Sequence, residues 1–440
     1  MIAWINKYLL GAAVPVMLIA FGIYFGFRLR WFHVVHPIRT VRVALSGDRK
    51  KAFSALSLAL AGTLGVGNIV GVSAAVAGGG CGAVFWMWVS AFFAMILKYS
   101  EIVLAMRHRR YDKSGNVHGS AMYYIRDILS AIGLRRLGVV LSSVFAVFFI
   151  MNALTMGSLI QVGAVTDAFM SAFSLPKLLT STLLACFTLW VMLGGRQTAM
   201  RISERIVPFM TCGVLVLSIA VLFIRANEIP VAFLRIFSEA LDIRAVGGGI
   251  FGFLLSDAVR LGAMRGLISN EAGCGTSPTA HAECENSSPA VQGVWGIFEV
   301  FVDTILLCTV TALVIIVSGV PLAGEGYMEL IISAYSAVLG TWSADILAVA
   351  VLCFGFATVV CWSHYGREGV YFLSKKPAAA VLFCGMYILS VLFGGVISSE
   401  LPWQLADLAI GAMTVINLLS LLFSRKEIST ETASLFNERK

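Results

Sequence analysis

The sequence predicts an all-α integral membrane protein of about eleven transmembrane helices, on three observations: its composition, the length of its apolar runs and the placement of its basic residues. Of 440 residues, 59% are hydrophobic and 13% charged, where an ordinary soluble domain carries about a quarter charged residues. Apolar runs of about 20 residues, the length a spanning helix needs, follow one another from residue 11 to residue 423. They are continuously apolar rather than alternating, and hydrocarbon demands internal satisfaction of every backbone polar group, so the spans read as helices and not barrel strands.

The runs centre on residues 10–28, 53–77, 83–105, 137–165, 178–194, 206–224, 245–264, 290–318, 344–364, 377–397 and 402–423. The first lacks a basic n-region and a small-residue cleavage site, so it reads as a retained span. With the N-terminus outside, the segments placed inside hold 27 of the 32 Lys and Arg, which puts the 424–440 tail in the cytoplasm of a multi-pass plasma-membrane protein. The net charge of +8 is therefore a topology signal and not a nucleic-acid footprint. Segments 120–132 and 327–339 are half-polar and too short to span, so they read as interfacial or loop helices framing access routes. The nine cysteines show no CxxC spacing, which argues against a disulfide framework or a zinc site. No linker divides the chain, so it reads as one domain.

Two spans are interrupted by glycines. The stretch Ala61-Gly-Thr-Leu-Gly-Val-Gly-Asn-Ile-Val-Gly71 holds four glycines inside an apolar run, each costing up to about 1 kcal/mol in a helix relative to Ala. Gly247-Gly248-Gly249, followed by Gly252, interrupts the seventh span. With span 10–28 set aside, the interruptions open two successive groups of five spans, residues 53–224 and 245–423. Paired broken helices are the sequence mark of a transporter site: unwound carbonyls serve a cation, and half-helix N-termini serve an anionic group. Such a site suits a carboxylate plus Na⁺. Close helix packing is the other use of small residues. Thr63 and Asn68 favour a site at the first cluster, while both uses fit Gly247 and Gly248. The first cluster lacks the Lys of a P-loop and the strand of a dinucleotide fold, which excludes a phosphate site.

The run Gly62-Thr-Leu-Gly-Val-Gly-Asn-Ile-Val-Gly71 is followed by Gly82-Ala-Val-Phe-Trp-Met-Trp88 with Lys98 and Glu101, and by Ser203-Glu-Arg-Ile-Val-Pro-Phe209. Further on stand Arg265-Gly-Leu-Ile-Ser-Asn-Glu-Ala-Gly-Cys-Gly275 with Ala280-His-Ala282, Asp303-Thr304 with Cys308-Thr-Val-Thr-Ala312, and Trp362-Ser-His-Tyr-Gly366. In this order, over about residues 20–370, these motifs closely resemble the alanine or glycine:cation symporter family, also called the sodium:alanine symporter family. The resemblance implies eleven spans, with a five-plus-five inverted repeat behind one extra N-terminal helix. It implies alternating access, and Na⁺ or H⁺ driving uptake of alanine or glycine. It places Thr63, Gly65, Gly67 and Asn68 at the substrate carboxylate, Gln161 and Trp362 at the substrate, and Gly62, Thr63, Val66, Ala357 and Thr358 around the cation. No cofactor is implied beyond Na⁺ as coupling ion; the partners are a small neutral amino acid, Na⁺ and the bilayer.

The chain departs from the family pattern at several positions. Gly157-Ser-Leu-Ile-Gln-Val-Gly163 replaces two asparagines common around the glutamine, Val66 stands where Thr is common, and Ala357 where a hydroxyl residue is common. Fewer polar partners suit a different or bulkier neutral amino acid as an alternative substrate, or a non-transporting sensor.

Ionisable residues inside spans are functional candidates or buried structural pairs. Asp257 and Arg260, and Glu299 and Asp303, have helix-face spacing. Asn270 and Glu271, near the cytoplasmic end of the seventh span, suit gating or capping. Trp86 and Trp88 suit a membrane interface. His281-Ala-Glu283-Cys284 lacks the partner motif of a zinc deaminase and reads as chance. No nucleophile, base or metal constellation marks an enzyme, and no repeated polar rings mark a channel.

Overall fold

The computed structural model describes residues 1–44, 60–113, 115–241, 256–284, 287–322, 324, 326–398 and 400–437. Gly247 and Gly248 lie outside them. Eight helices among the described residues are long and apolar enough to cross a membrane: α1 (Ile2–Arg28), α3 (Gly82–Arg107), α5 (Arg135–Phe173), α6 (Lys177–Gly195), α7 (Arg205–Ile224), α10 (Pro289–Ser318), α12 (Trp342–Leu373) and α14 (Glu400–Phe423). Among the shorter helices are α2 (Val70–Gly79), α4 (Ala121–Ala131), α8 (Ile229–Ala240), α9 (Asp257–Asn270), α11 (Tyr327–Leu339), α13 (Pro377–Phe393) and α15 (Arg425–Asn437). The fold is all-α, and a two-stranded ribbon, Arg110–Tyr111 with Val117–His118, follows α3.

Each of the eleven apolar runs meets a helix within its described residues; residues 53–59 and 245–255 lie outside them. Helix α9 starts at Asp257, where Ser256 accepts the Val259 amide as its N-cap, and runs to Asn270, past the end of the 245–264 run. The backbone stays helical from α6 into α7 apart from one kink. The chain kinks at Gly195, whose φ of 73° a side chain would strain. Helices α4 and α11 are too short to span, as expected, and pack into the protein: Tyr124 and Tyr335 are at most 1% exposed.

Helix α3 is the centre of one packed group, touching α1, α2, α8, α9 and α10, and α12 is the centre of another, touching α5, α6, α7, α11 and α13. Of the most apolar stretch of α3, 83% is buried, against 33% for α7. This burial shields the charges of Lys98 and Glu101 from lipid. Glycines allow the close approach. A Cβ on Gly262 of α9 would fall 2.3 Å from the Ala83 carbonyl oxygen, and one on Gly293 of α10 would fall 2.7 Å from the Tyr99 ring.

Candidate substrate and cation site

The second span breaks where its glycines predict. Residues 60–63 are helical, Leu64 and Gly65 bend away, Val66–Asn68 form one 3₁₀ turn, and helix resumes at Val70. A break at membrane depth must find partners for its freed backbone groups inside the protein. Gln161 of α5 supplies one: its Oε1 accepts the Val66 amide at 3.0 Å, while its Nε2 donates to the Met156 carbonyl at 3.0 Å. Thr358 of α12 supplies another, donating to the Ala61 carbonyl at 3.0 Å. Both press on Gly65, where a Cβ would lie 2.8 Å from Thr358 Oγ1 and 2.9 Å from Gln161 Oε1. Gly62 meets the same helix lower down, at Cys361 and Tyr365.

Trp362, one turn after Thr358, packs on Gly157, whose added Cβ would fall 2.4 Å from the Trp362 Cβ. Gly157 lies in a π-helical turn, Thr155–Leu159, a distortion that recurs at functional sites. The Trp362 indole N–H is buried without a partner. Thus Gly62, Gly65, Val66, Gln161, Ala357, Thr358 and Trp362 gather on one face of the break, and none carries a charge. Of these, the five with side chains larger than a hydrogen are at most 1% exposed. A cleft of about 360 Å³, lined among others by Val70, Ile160, Gly163, Ala164 and Tyr327, ends one turn short of them.

Thr63, Gly67 and Asn68 turn the other way. Thr63 Oγ1 donates to Glu299 Oε1 at 3.1 Å, Asn68 Nδ2 donates to Asp303 Oδ1 at 2.6 Å, and Gly67 faces Ser269. Asn270 donates to Thr304 Oγ1 at 3.0 Å, and its carbonyl accepts Lys98 Nζ at 2.7 Å. Glu271 ends α9 in the left-handed region and accepts Thr276 Oγ1 at 2.6 Å. Asp257 stands apart: it is solvent-facing at the start of α9 and pairs with Arg260 at 2.7 Å.

A buried ionic network lies behind Thr63. Lys98 Nζ and Glu299 Oε1 are 3.2 Å apart, both fully buried. His281 Nε2 is 3.0 Å from the other Glu299 oxygen, and Gln292 bonds the second His281 nitrogen at 2.8 Å. Glu101 accepts the Gly275 amide and Asn417 Nδ2. Of this network the sequence offers Glu299 as an ionisable candidate beside Asp303, and Lys98 and Glu101 within a motif, but not the pairing of Lys98 with Glu299 or the part of His281.

The model of the sodium:alanine symporter family matches residues 1–440. The chain is 34% identical to the sodium/alanine symporter AgcS of Methanococcus maripaludis, over 99% of this chain and 96% of that protein. It is 30% identical to the probable sodium/glutamine symporter GlnT of Bacillus subtilis, over 99% and 90%. A crystal structure of an Eremococcus coleocola manganese transporter mutant aligns with a TM-score of 0.52 at 14% identity, covering 89% of this chain and 88% of that one, a likeness of fold alone.

Proposed function

Because the chain belongs to the sodium:alanine symporter family, a family of multi-pass transporters and not enzymes, we propose that it couples Na⁺ entry to uptake of a small neutral amino acid such as alanine or glycine. The observation that carries this reading is the uncharged, closed set of Gly65, Val66, Gln161, Thr358 and Trp362 around a broken helix. The N-terminal turn of α2 suits the substrate carboxylate, and the Ala61 carbonyl with the Thr358 hydroxyl suits a hard monovalent cation. An uncharged lining favours an uncharged side chain.

A small substrate is favoured by the close packing beside Gly157, whereas the departures from the family pattern divide between the site and its surroundings. Ser158 bonds Ser390 of α13 at 2.6 Å, and Gly163 faces the Gly394 carbonyl. Ser158 is thus engaged with α13, while Gly163 lines the cleft of about 360 Å³. The space beside Gly157 is filled by Trp362. A bulkier neutral substrate such as glutamine, which one relative's name carries, is the second reading. We place the two repeats at 53–224 and 245–423, with the N-terminus outside and the 424–440 tail in the cytoplasm.

The test is uptake of labelled alanine into proteoliposomes under an inward Na⁺ gradient, against K⁺ or choline, with unlabelled amino acids as competitors. Accumulation that collapses without Na⁺ is expected, with glycine competing better than glutamine. Binding without uptake would make the chain a sensor.

A further inference from the structure

On the far side of the broken helix from Thr358, three elements meet at Asp303: the 3₁₀ turn Val66–Asn68, helix α9 and the π-helical segment Phe301–Cys308 within α10. The Asp303 carboxylate is fully buried. Its Oδ1 accepts Asn68 Nδ2 at 2.6 Å, and its Oδ2 accepts Ser269 Oγ and Thr304 Oγ1, each at 2.7 Å. All three donors are neutral, and among the described residues Asp303 enters no ion pair. Lys98 is engaged by Glu299, Ser277 and the Asn270 carbonyl.

A second observation points to a ligand. The amide that binds Asp303 through its nitrogen leaves Asn68 Oδ1 buried without a partner, on a residue 2% exposed. An unsatisfied buried acceptor costs about 1–3 kcal/mol by itself, and a buried carboxylate without a counter-charge costs more. The hydroxyls of Ser269 and Thr304 donate to the carboxylate and still hold a lone pair each, even with Thr304 Oγ1 accepting Asn270 Nδ2. Carboxylate, amide oxygen and two hydroxyls form an all-oxygen set of charge −1, the chemistry that takes a hard monovalent cation.

We propose that Asn68, Ser269, Asp303 and Thr304 form a second Na⁺ site, so that two Na⁺ bind per amino acid, one on each face of the broken helix. The stoichiometry rests on the symport reading; the site does not. Thr358 of α12 holds the Ala61 carbonyl at one end of the break and Asn68 stands at its other end, so either cation would stiffen the backbone that meets the substrate, which makes the two cations cooperative.

The experiment measures labelled Na⁺ and labelled alanine fluxes in proteoliposomes, together with the number of Na⁺ bound at equilibrium to the purified protein without amino acid. Wild type is expected to carry two Na⁺ per alanine with a sigmoidal Na⁺ dependence. Asp303→Asn, nearly isosteric, is expected to carry one with a hyperbolic dependence, and to bind one Na⁺ fewer. Ser269→Ala, a milder change, should raise the half-saturating Na⁺ concentration several-fold. Equal ratios and equal Na⁺ counts in wild type and Asp303→Asn would overturn the site, as would a wild-type count of one should Asp303→Asn fail to fold. Alanine uptake in choline whose dependence on pH disappears in Asp303→Asn would replace Na⁺ by a proton and also overturn it. If wild type moves no alanine under Na⁺, the symport reading falls, and the equilibrium count still decides the site.

Discussion

Gln161 holds the amide of Val66 at 3.0 Å, so a residue of the fourth span closes the backbone that the second span leaves open. Removing it exposes a buried N–H to no partner, at about 1–3 kcal/mol. Gln161→Ala is therefore expected to lower alanine uptake about 10-fold or more, read as a rise in KM, since each 1.4 kcal/mol is about tenfold in affinity. Transport kinetics of Gln161→Ala beside Gln161→Glu check this. Retention of wild-type KM in Gln161→Ala would show that the amide closure does not serve the substrate.

Gly65 is where Thr358 and Gln161 meet the backbone. A methyl group there falls under 3.0 Å from both side chains, so Gly65→Ala should abolish uptake while the protein still purifies as a folded species. Combined with Thr358→Ala, which frees the hydroxyl's space, it should recover part of its substrate binding but not its Na⁺ dependence. Thermal unfolding and substrate binding on the two variants separate these effects.

Lys98 and Glu299 neutralise one another in the protein interior. Lys98→Met leaves Glu299 buried and uncompensated, at about 3–5 kcal/mol, and loosens the carboxylate that accepts Thr63. The double variant Lys98→Met, Glu299→Gln should be more stable than Lys98→Met alone. Melting temperatures of wild type, Lys98→Met, Glu299→Gln and the double variant in detergent supply the cycle.

The helix α15 is clamped to α3 and α4 outside the spans. His108 contacts Asp127 at 3.3 Å and Glu427 at 3.3 Å, and Arg107 reaches Glu427 and Glu431. Burial alone would lower the His108 pKa, but the hydrogen bonds and charges of Asp127 and Glu427 outweigh it and push it up to about 9. The Glu427 carboxyl is lowered, first by its hydrogen bond to His108. A raised His pKa stabilises fully below its unfolded value near 6.5 and is lost as pH rises through about 9. The lowered carboxyl contributes above its ordinary value and is lost on acidification. Docking of α15 should be firmest at mildly acid pH and should loosen above pH of about 9. Hydrogen exchange of residues 425–437 across pH checks it, and His108→Gln should flatten the alkaline limb.

The spans were legible because hydrocarbon imposes one length and one composition, and each apolar run has its helix. The break at Gly62–Gly67 was legible from the cost of glycine in a helix. Which face each residue takes was not. Gln161 and Thr358 lie on one side of the 3₁₀ turn, and Thr63 and Asn68 on the other, a division set by a few dihedral angles that no periodicity records. Lys98 and Glu299 are far apart in sequence, and their pairing depends on Gly293 and Gly296 letting α10 onto α3. Asp257 stands in the first turn of α9 after the Ser256 cap, exposed and paired with Arg260, and that pairing the i, i+3 spacing does record.

The measurement that bears most directly on cation-coupled transport is equilibrium binding of labelled alanine to the purified protein, in Na⁺ and in choline, paired with Na⁺ binding with and without alanine. Linkage requires Na⁺ to raise alanine affinity by the same factor that alanine raises overall Na⁺ affinity, and both rises are expected. Equal alanine affinity in Na⁺ and in choline would contradict the account.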